Sequence, residues 1–562
     1  MPAKLQDLIL SRRSILLAIP FFLYIALLPA MPLMEPDEGR YSLIPQEMNT
    51  TGDYVTPRLK GVHYFEKPAL DYWATALALR VFGDNAFASR LFAGLCAWGC
   101  ILLAYHMGRK LYGPQSGVYA AAFLSTCLFH FALGRVHVLD MPLAFFVGLA
   151  TWSGYRHCTA LTARARKRWL YLLYLGSALA FLTKGLIGIV FPFGILSAWL
   201  MFERRWRDIL GLVSPVGILI LLAVAGPWLY LVQRANPDFL RFFFVQEHLL
   251  RYTTTMHNRY QPFYYFIPLV FAGLIPWLGF LPEVISGLRP RLRGLLAGPE
   301  ILFLTLWAGL ILLFFSASSS KLIPYIAPVF IPLAVMGGNL CRIYDESAPE
   351  RPARDLVPTL GIGLQAAAII ALVLSPVFMP RHQTVLIRIW PWLIFLVGAQ
   401  LLLTFLPHQI RIRSGRGWFA SIYLLSTLFL AGAAYPAGIL ITPHRSAYPI
   451  VEAMDHFLPR GAVLYQFKMC AYGIDFYTGK RTPVVDDFGE LRYGIGKLAP
   501  REKSRYFLTS REFIDLHQAG REFYCVTDHP RKRAWLEHKA PGTRLLWTNG
   551  TFSLLHLKPG DS

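Results

Sequence analysis

Long apolar runs separated by short polar connections dominate most of the chain. A membrane helix needs roughly 20 mostly apolar residues, and runs of that kind recur about thirteen times. They lie near 14–33, 86–108, 116–133, 141–157, 169–183, 185–202, 210–233, 262–285, 297–316, 322–341, 356–378, 384–406 and 418–440. The first follows Lys4, Arg12 and Arg13 in the manner of a signal peptide, but the spans behind it make it an uncleaved anchor. Beyond residue 442 the period changes. Ala462 to Phe467, Tyr506 to Thr509, Phe523 to Thr527 and Thr551 to His556 read as strands, and Glu512 to Ala519 as a helix. The pattern predicts an all-α polytopic membrane protein over residues 1–442, with long outer loops at 34–85 and 234–261. A small C-terminal α/β domain occupies 443–562.

Composition agrees with that reading. Of 562 residues 55% are hydrophobic and only 16% charged, against about 25% charged in soluble domains. The 55 Lys and Arg against 33 Asp and Glu leave a formal charge of +22. An oily and basic chain faces anionic lipid and makes nucleic acid a poor partner. The basic residues also assign sides. Arg109-Lys110, the run Arg164 to Arg168, Arg204-Arg205-Arg207, Arg289-Arg291-Arg293, Arg342 to Arg354 and Arg411-Arg413-Arg416 fall in every second connection, with Arg381 and Arg388 as small exceptions. Cytoplasmic loops carry that excess, so the other loops and the C-terminal domain are expected in the periplasm. The seven cysteines lack metal-site spacing. Cys470 and Cys525 lie in the outer domain, where an oxidising compartment would permit a disulfide.

The unusual polar residues gather in the outer connections. Glu35-Pro36-Asp37-Glu38-Gly39-Arg40-Tyr41 follows the first span directly. Acids at a helix exit are costly without partners, although Pro36 and an acidic pair also suit a solvated helix start. The same loop carries Tyr64-Phe65-Glu66-Lys67-Pro68 and then an amphipathic stretch, Leu70 to Phe82, suited to the interface. Lys67 is either one half of a surface ion pair with Glu66 or a cation kept for a phosphate. Arg135 and Asp140 flank the mouth of the fourth span, and Lys184 sits between two apolar helices, where it either snorkels or binds an anion. Glu247, His248, Arg251 and Arg259 belong to the loop 234–261, and Lys321 with Tyr325 to a later outer turn. All map to one face, an expected pocket for an anionic lipid headgroup in which arginines give bidentate phosphate contacts and lysines point charges. Glu66 with His248 would supply two common zinc ligands; the alternative is a hydrogen-bonded histidine in an interfacial helix.

The stretches Pro36-Asp37-Glu38-x-Arg40-Tyr41, Tyr64-Phe65-Glu66-Lys67-Pro68, Arg135 to Asp140 and Thr183-Lys184-Gly185 resemble bacterial polyprenyl-phosphate-dependent glycosyltransferases of the GT-C fold, in particular the aminoarabinose transferases acting on lipid A. Phe-Glu-Lys-Pro is the most specific piece, whereas an acidic pair in the first outer loop is shared with protein mannosyltransferases. The resemblance implies an inner-membrane enzyme, a monomer without a required cofactor. It would move 4-amino-4-deoxy-L-arabinose from undecaprenyl phosphate to a lipid A phosphate and lower affinity for polymyxin and other cationic peptides. It makes Asp37 the first candidate catalytic carboxylate and Asp140 the second, with Glu38 beside Asp37. Lys67, Arg40, Tyr41, Tyr64, Arg135, Lys184, Glu247, Arg251, Arg259, Lys321 and Tyr325 are the candidate substrate contacts. The rivals are a GT-C enzyme with another sugar or acceptor (a protein O-mannosyltransferase or a lipopolysaccharide galacturonosyltransferase), a lipid transporter, and a non-catalytic scaffold. A transporter would bury ionisable residues mid-span in broken helices, whereas these concentrate at helix ends and in loops.

Overall fold

The computed structural model describes residues 13–250, 261–347, 390–414 and 417–558. Among these, six helices are long and apolar enough to cross a membrane: Ala86–Tyr112, Pro215–Ala235, Pro299–Ala317, Ile323–Glu346, Trp390–Arg411 and Trp418–Arg445. The other described apolar runs are also helical, but shorter, interrupted or carrying charged ends, and the expected span at 356–378 lies outside the described residues.

Three interruptions have local causes. The run near 116–133 is two helices, Pro114–Ser125 and Leu128–Leu133. Between them Thr126 turns its hydroxyl back onto the Ala122 carbonyl, at 2.8 Å, as Ser125 does at 3.0 Å; such back-bonding competes with the helical ladder. The run near 262–285 is split around Pro276, which has no N–H to continue a helix, and at the break the Ile275 carbonyl accepts from the Leu128 N–H at 2.9 Å. Ile323–Val329, with Pro324 and Pro328, is a tighter 3₁₀ turn ahead of Phe330–Glu346. The arginines 164–168, read as a connection, instead open the helix Ala163–Lys184, whose N-cap Thr162 accepts from the Ala165 N–H.

The chain divides into two compact units. The first comprises residues 1–28, 93–233 and 238–436; the second comprises 29–92, 234–237 and 437–562. In the first unit helices pack backbone to backbone where side chains are small: a Cβ on Gly338 would lie 2.6 Å from the Ala120 nitrogen. The second unit is built on a six-stranded sheet of order β5-β4-β3-β6-β8-β7. Its strands are β3 (Leu464–Phe467), β4 (Val484–Val485), β5 (Phe507–Leu508), β6 (Phe523–Thr527), β7 (Thr543–Thr548) and β8 (Ser553–Leu557). The pairs β3–β4, β4–β5 and β3–β6 run parallel, while β6–β8 and β7–β8 run antiparallel. Alternation along β3 sends Leu464 into one apolar layer and Phe467 into the other. Cys470 and Cys525 are both free, so the disulfide that an oxidising compartment would permit is not formed.

The loop 34–85 belongs to this second unit as well. A small hairpin, β1 (Arg58–Leu59) with β2 (Val62–His63), turns at Lys60-Gly61, both with positive φ. Lys60 is fully buried and reaches the Asp475 carboxylate at 2.5 Å and the Thr482 hydroxyl at 3.1 Å. The helix Leu70–Phe82 buries Ala78 and Leu79 against Leu33 and Phe476, leaving Leu77, Val81 and Phe82 exposed.

Breaking a buried ion pair by deleting one partner strands the other charge, at about 3–5 kcal/mol. Lys60→Ala should therefore lower the unfolding midpoint of the full-length protein in detergent far more than Lys480→Ala at the surface, as read by tryptophan fluorescence.

Candidate active site

The helix Asp37–Thr51 begins at Asp37, so both acids of the motif occupy its first turn, where the helix dipole favours them. They then part company. The Asp37 side chain is 52% exposed, whereas Glu38 is buried. Glu38 is held in a fork by Arg90: Nε donates to Oε1 and Nη2 to Oε2, both at 2.7 Å. Arg90 also donates to the carbonyls of Met31 and Pro32, and Glu38 accepts from the Met34 N–H at 2.9 Å. Every oxygen of Glu38 is thus occupied in tying the chain before Asp37 to the helix Ala86–Tyr112.

One turn along, Arg40 is buried with its fork spread over three partners. Nη2 donates to Asp37 Oδ1 at 2.9 Å, and Nη1 donates to the Tyr64 hydroxyl at 2.9 Å and to Glu490. Tyr64 in turn donates to Glu490 Oε2 at 3.1 Å; burial holds its phenol well above its usual range and so keeps it a donor. The rings of Tyr41, Tyr64 and Tyr472 stand 5.4, 6.0 and 5.9 Å from the guanidinium carbon. Glu35 completes this frame, accepting from the N–H groups of Gly473 at 2.5 Å and Tyr472 at 3.1 Å.

Lys67 is not a surface partner of Glu66. Both are buried, and the Lys67 ammonium donates to the Glu66 backbone carbonyl at 2.8 Å.

The candidates of the first unit form their own group. The Lys184 ammonium, at the end of Ala163–Lys184, lies 2.5 Å from Asp140 Oδ1, at the start of Asp140–Thr159, and 4.6 Å from the Tyr325 ring centre. That lysine is held, not snorkelling. Arg135 donates to the Leu27 carbonyl at 2.9 Å and stacks over Phe131, and Lys321 donates to the carbonyls of Gln261 and Ser318. Glu247 is buried on the helical segment Arg241–Leu250. Arg251, Arg259 and the side chain of His248 lie outside the described residues. No group of three or more His, Cys, Asp or Glu among the described residues is arranged to hold a metal ion.

Arg90, Glu490 and Glu35 were not singled out in the sequence as site residues. Arg90 left one trace, a charge inside an apolar span, which demands a partner. Glu490 and the turn at Tyr472-Gly473 meet the first loop only through folding.

Comparison with known proteins adds the family. The model of the dolichyl-phosphate-mannose-protein mannosyltransferase family matches residues 66–231. An undecaprenyl phosphate-alpha-4-amino-4-deoxy-L-arabinose arabinosyl transferase of Edwardsiella ictaluri is 31% identical over 498 residues, covering 85% of this chain and 87% of its own. The chain belongs to that transferase family. A namesake from Erwinia tasmaniensis is 27% identical over 93% of this chain and 92% of its own. The crystal structure of ArnT from Cupriavidus metallidurans bound to undecaprenyl phosphate superposes with a TM-score of 0.84 at 24% identity, covering 98% of both chains, and shows a shared fold. Family membership makes the chain a multi-pass membrane glycosyltransferase that uses a polyprenyl-phosphate-linked sugar.

The site's second carboxyl layer is proton-sensitive. Glu47, further along the same helix, accepts from the Gly61 N–H, and burial pushes its carboxyl up to about 7; burial pushes Glu35 up to about 8. A carboxyl raised in the folded state stabilises the fold below its ordinary range, and that stabilisation disappears as pH rises through the folded value. The unfolding midpoint should therefore fall as pH rises from the ordinary carboxylate range to about 8, and Glu47→Gln should remove the part of the fall below about pH 7.

Proposed function

We propose that the protein transfers 4-amino-4-deoxy-L-arabinose from undecaprenyl phosphate to a phosphate of lipid A, as a monomer, with the Asp37 and Lys67 segments on the periplasmic face of the inner membrane. The observation that carries the reading is the Asp37–Arg40–Glu490 cluster. Two carboxylates around one guanidinium leave a formal excess of one negative charge, and half of Asp37 is open to a ligand. Such a surface favours a cation. An aminosugar presents an ammonium, and its anomeric carbon becomes oxocarbenium-like as the glycosyl–phosphate bond breaks. Arg40, expected from the sequence to hold phosphate, is instead engaged by carboxylates and serves to orient Asp37.

The complementary charge grows on the departing polyprenyl phosphate. Lys67 suits it: its ammonium is sheltered, donates to the Glu66 carbonyl, and is close in sequence to Tyr64 of the cluster. Within the first unit, Lys184 is held by Asp140 and Tyr325 and offers a cation to an anionic group. The attacking lipid A phosphate oxygen is already ionised, so Asp37 need not remove a proton; it stabilises the sugar cation and holds its polar groups. A serine acceptor would impose a base on the same carboxylate. The periplasmic assignment rests on the arginine-rich connections on the opposite side.

Asp37→Asn should fold normally and lower transfer to lipid A by about 100-fold or more, with Lys67→Ala similarly impaired, as read by mass spectrometry of lipid A from producing cells. Full lipid A modification by the Asn variant, or transfer to a serine peptide in place of lipid A, would overturn the reading. Because lysine side chains and a pre-ionised acceptor cover the charge changes, transfer is proposed to need no metal. Treatment with EDTA should leave the initial rate of the purified enzyme unchanged, and a loss restored by zinc would overturn that part of the reading.

A further inference from the structure

The carboxylate of Glu35 sits in a slot made by two glycines. A Cβ on Gly39 would lie 2.7 and 2.8 Å from its two oxygens, and a Cβ on Gly473 would lie 2.5 Å from Oε1. Only because both positions lack a side chain do the carboxylate oxygens reach the N–H groups of Tyr472 and Gly473. The Glu35 backbone is fixed in turn, its N–H donating to the Arg445 carbonyl, with a bridge between Met34 and Ser446 beside it. Glu35 thus clamps the first turn of the helix Tyr472–Thr478 to the residues just before Asp37. Tyr472 is one of the three rings around Arg40, and Arg40 holds the Asp37 carboxylate.

We propose that Glu35 is a positioning residue for glycosyl transfer: its bidentate grip on the Tyr472-Gly473 backbone sets the Tyr41–Tyr64–Tyr472 frame that aims Arg40, and through it Asp37. The proposal rests on the reading of Asp37 as the carboxylate facing the reacting sugar. Glu35 itself touches no substrate. Its loss leaves Lys67, which faces the donor phosphate in that reading, in place but lets Asp37 wander, so it acts on turnover far more than on binding. A carboxylate is required because both backbone N–H groups need an acceptor. The amide of a glutamine turns one of the two bonds into a donor facing a donor.

The test uses the full-length protein in lipid nanodiscs with the polyprenyl-phosphate aminosugar and lipid A, at pH 9 so that the Glu35 carboxylate is ionised. Glu35→Gln should lower kcat by about 10- to 100-fold, with the donor KM within about twofold of wild type. Gly473→Ala leaves the carboxylate chemically intact but displaces it, and should give the same loss. The double variant should lose no more than either single one, because all three remove one and the same grip. Wild-type turnover in Glu35→Gln, additive losses in the double variant, or a KM rise matching the fall in kcat would each overturn the proposal. Asp37→Asn assayed alongside separates the two levels. If it is inactive while Glu35→Gln is not, the positioning role alone fails; if it is fully active, the reading of Asp37 fails.

Discussion

A guanidinium buried at the start of an apolar helix has to be matched, and the arrangement of the candidate site around Asp37 follows from how Arg90 is matched. Its fork takes both oxygens of Glu38, and its remaining donors take two carbonyls of the segment that leads into the helix Asp37–Thr51. Removal of either partner would leave an uncompensated buried charge. The pair therefore fixes which face of that helix points inward. Successive helical residues are about 100° apart, so turning Glu38 in turns Asp37 out. Two adjacent acids that look equivalent along the chain acquire opposite duties, one as an anchor and one as the exposed carboxylate.

The chemistry depends on a second balance of charge. Arg40 takes one position between Asp37 and Glu490, with the Tyr64 hydroxyl between guanidinium and carboxylate, and the result is a rigid, slightly anionic surface among tyrosine rings. Glycosyl transfer from a lipid phosphate separates charge, placing positive charge on the sugar and negative charge on the leaving group. A carboxylate surface such as that of Asp37 is suited to the first, and a sheltered ammonium such as that of Lys67 is suited to the second. Because these groups are held before substrate arrives, little reorganisation is left for the reaction itself.

How far this could be read from the sequence varied with distance along the chain. The apolar runs announced helices at nearly every expected place, because a long apolar run has few alternatives to a membrane helix. The interruptions at Thr126 and Pro276 followed from local chemistry that was visible but not weighed against the span length. The arginines 164–168 read as a loop because charge suggests an exit from the membrane, yet an exposed helical turn carries charge equally well. Asp140 and Lys184 were each suspected singly; that they form an ion pair beneath Tyr325 depends on two helices packing side by side.

The sequence by itself determined the membrane character of the chain, the C-terminal α/β region and the motif segments that carry Asp37 and Lys67, since apolar length, strand alternation and residue spacing are local properties. Only the tertiary structure decided that Glu38 is an anchor, that Arg40 serves carboxylates, and that Glu490, Tyr472 and Gly473 from the far end of the chain stand against the first loop. Those outcomes hang on which buried charges and unpaired N–H groups find partners, and partners hundreds of residues apart leave no mark on each other's neighbourhood until the backbone brings them together.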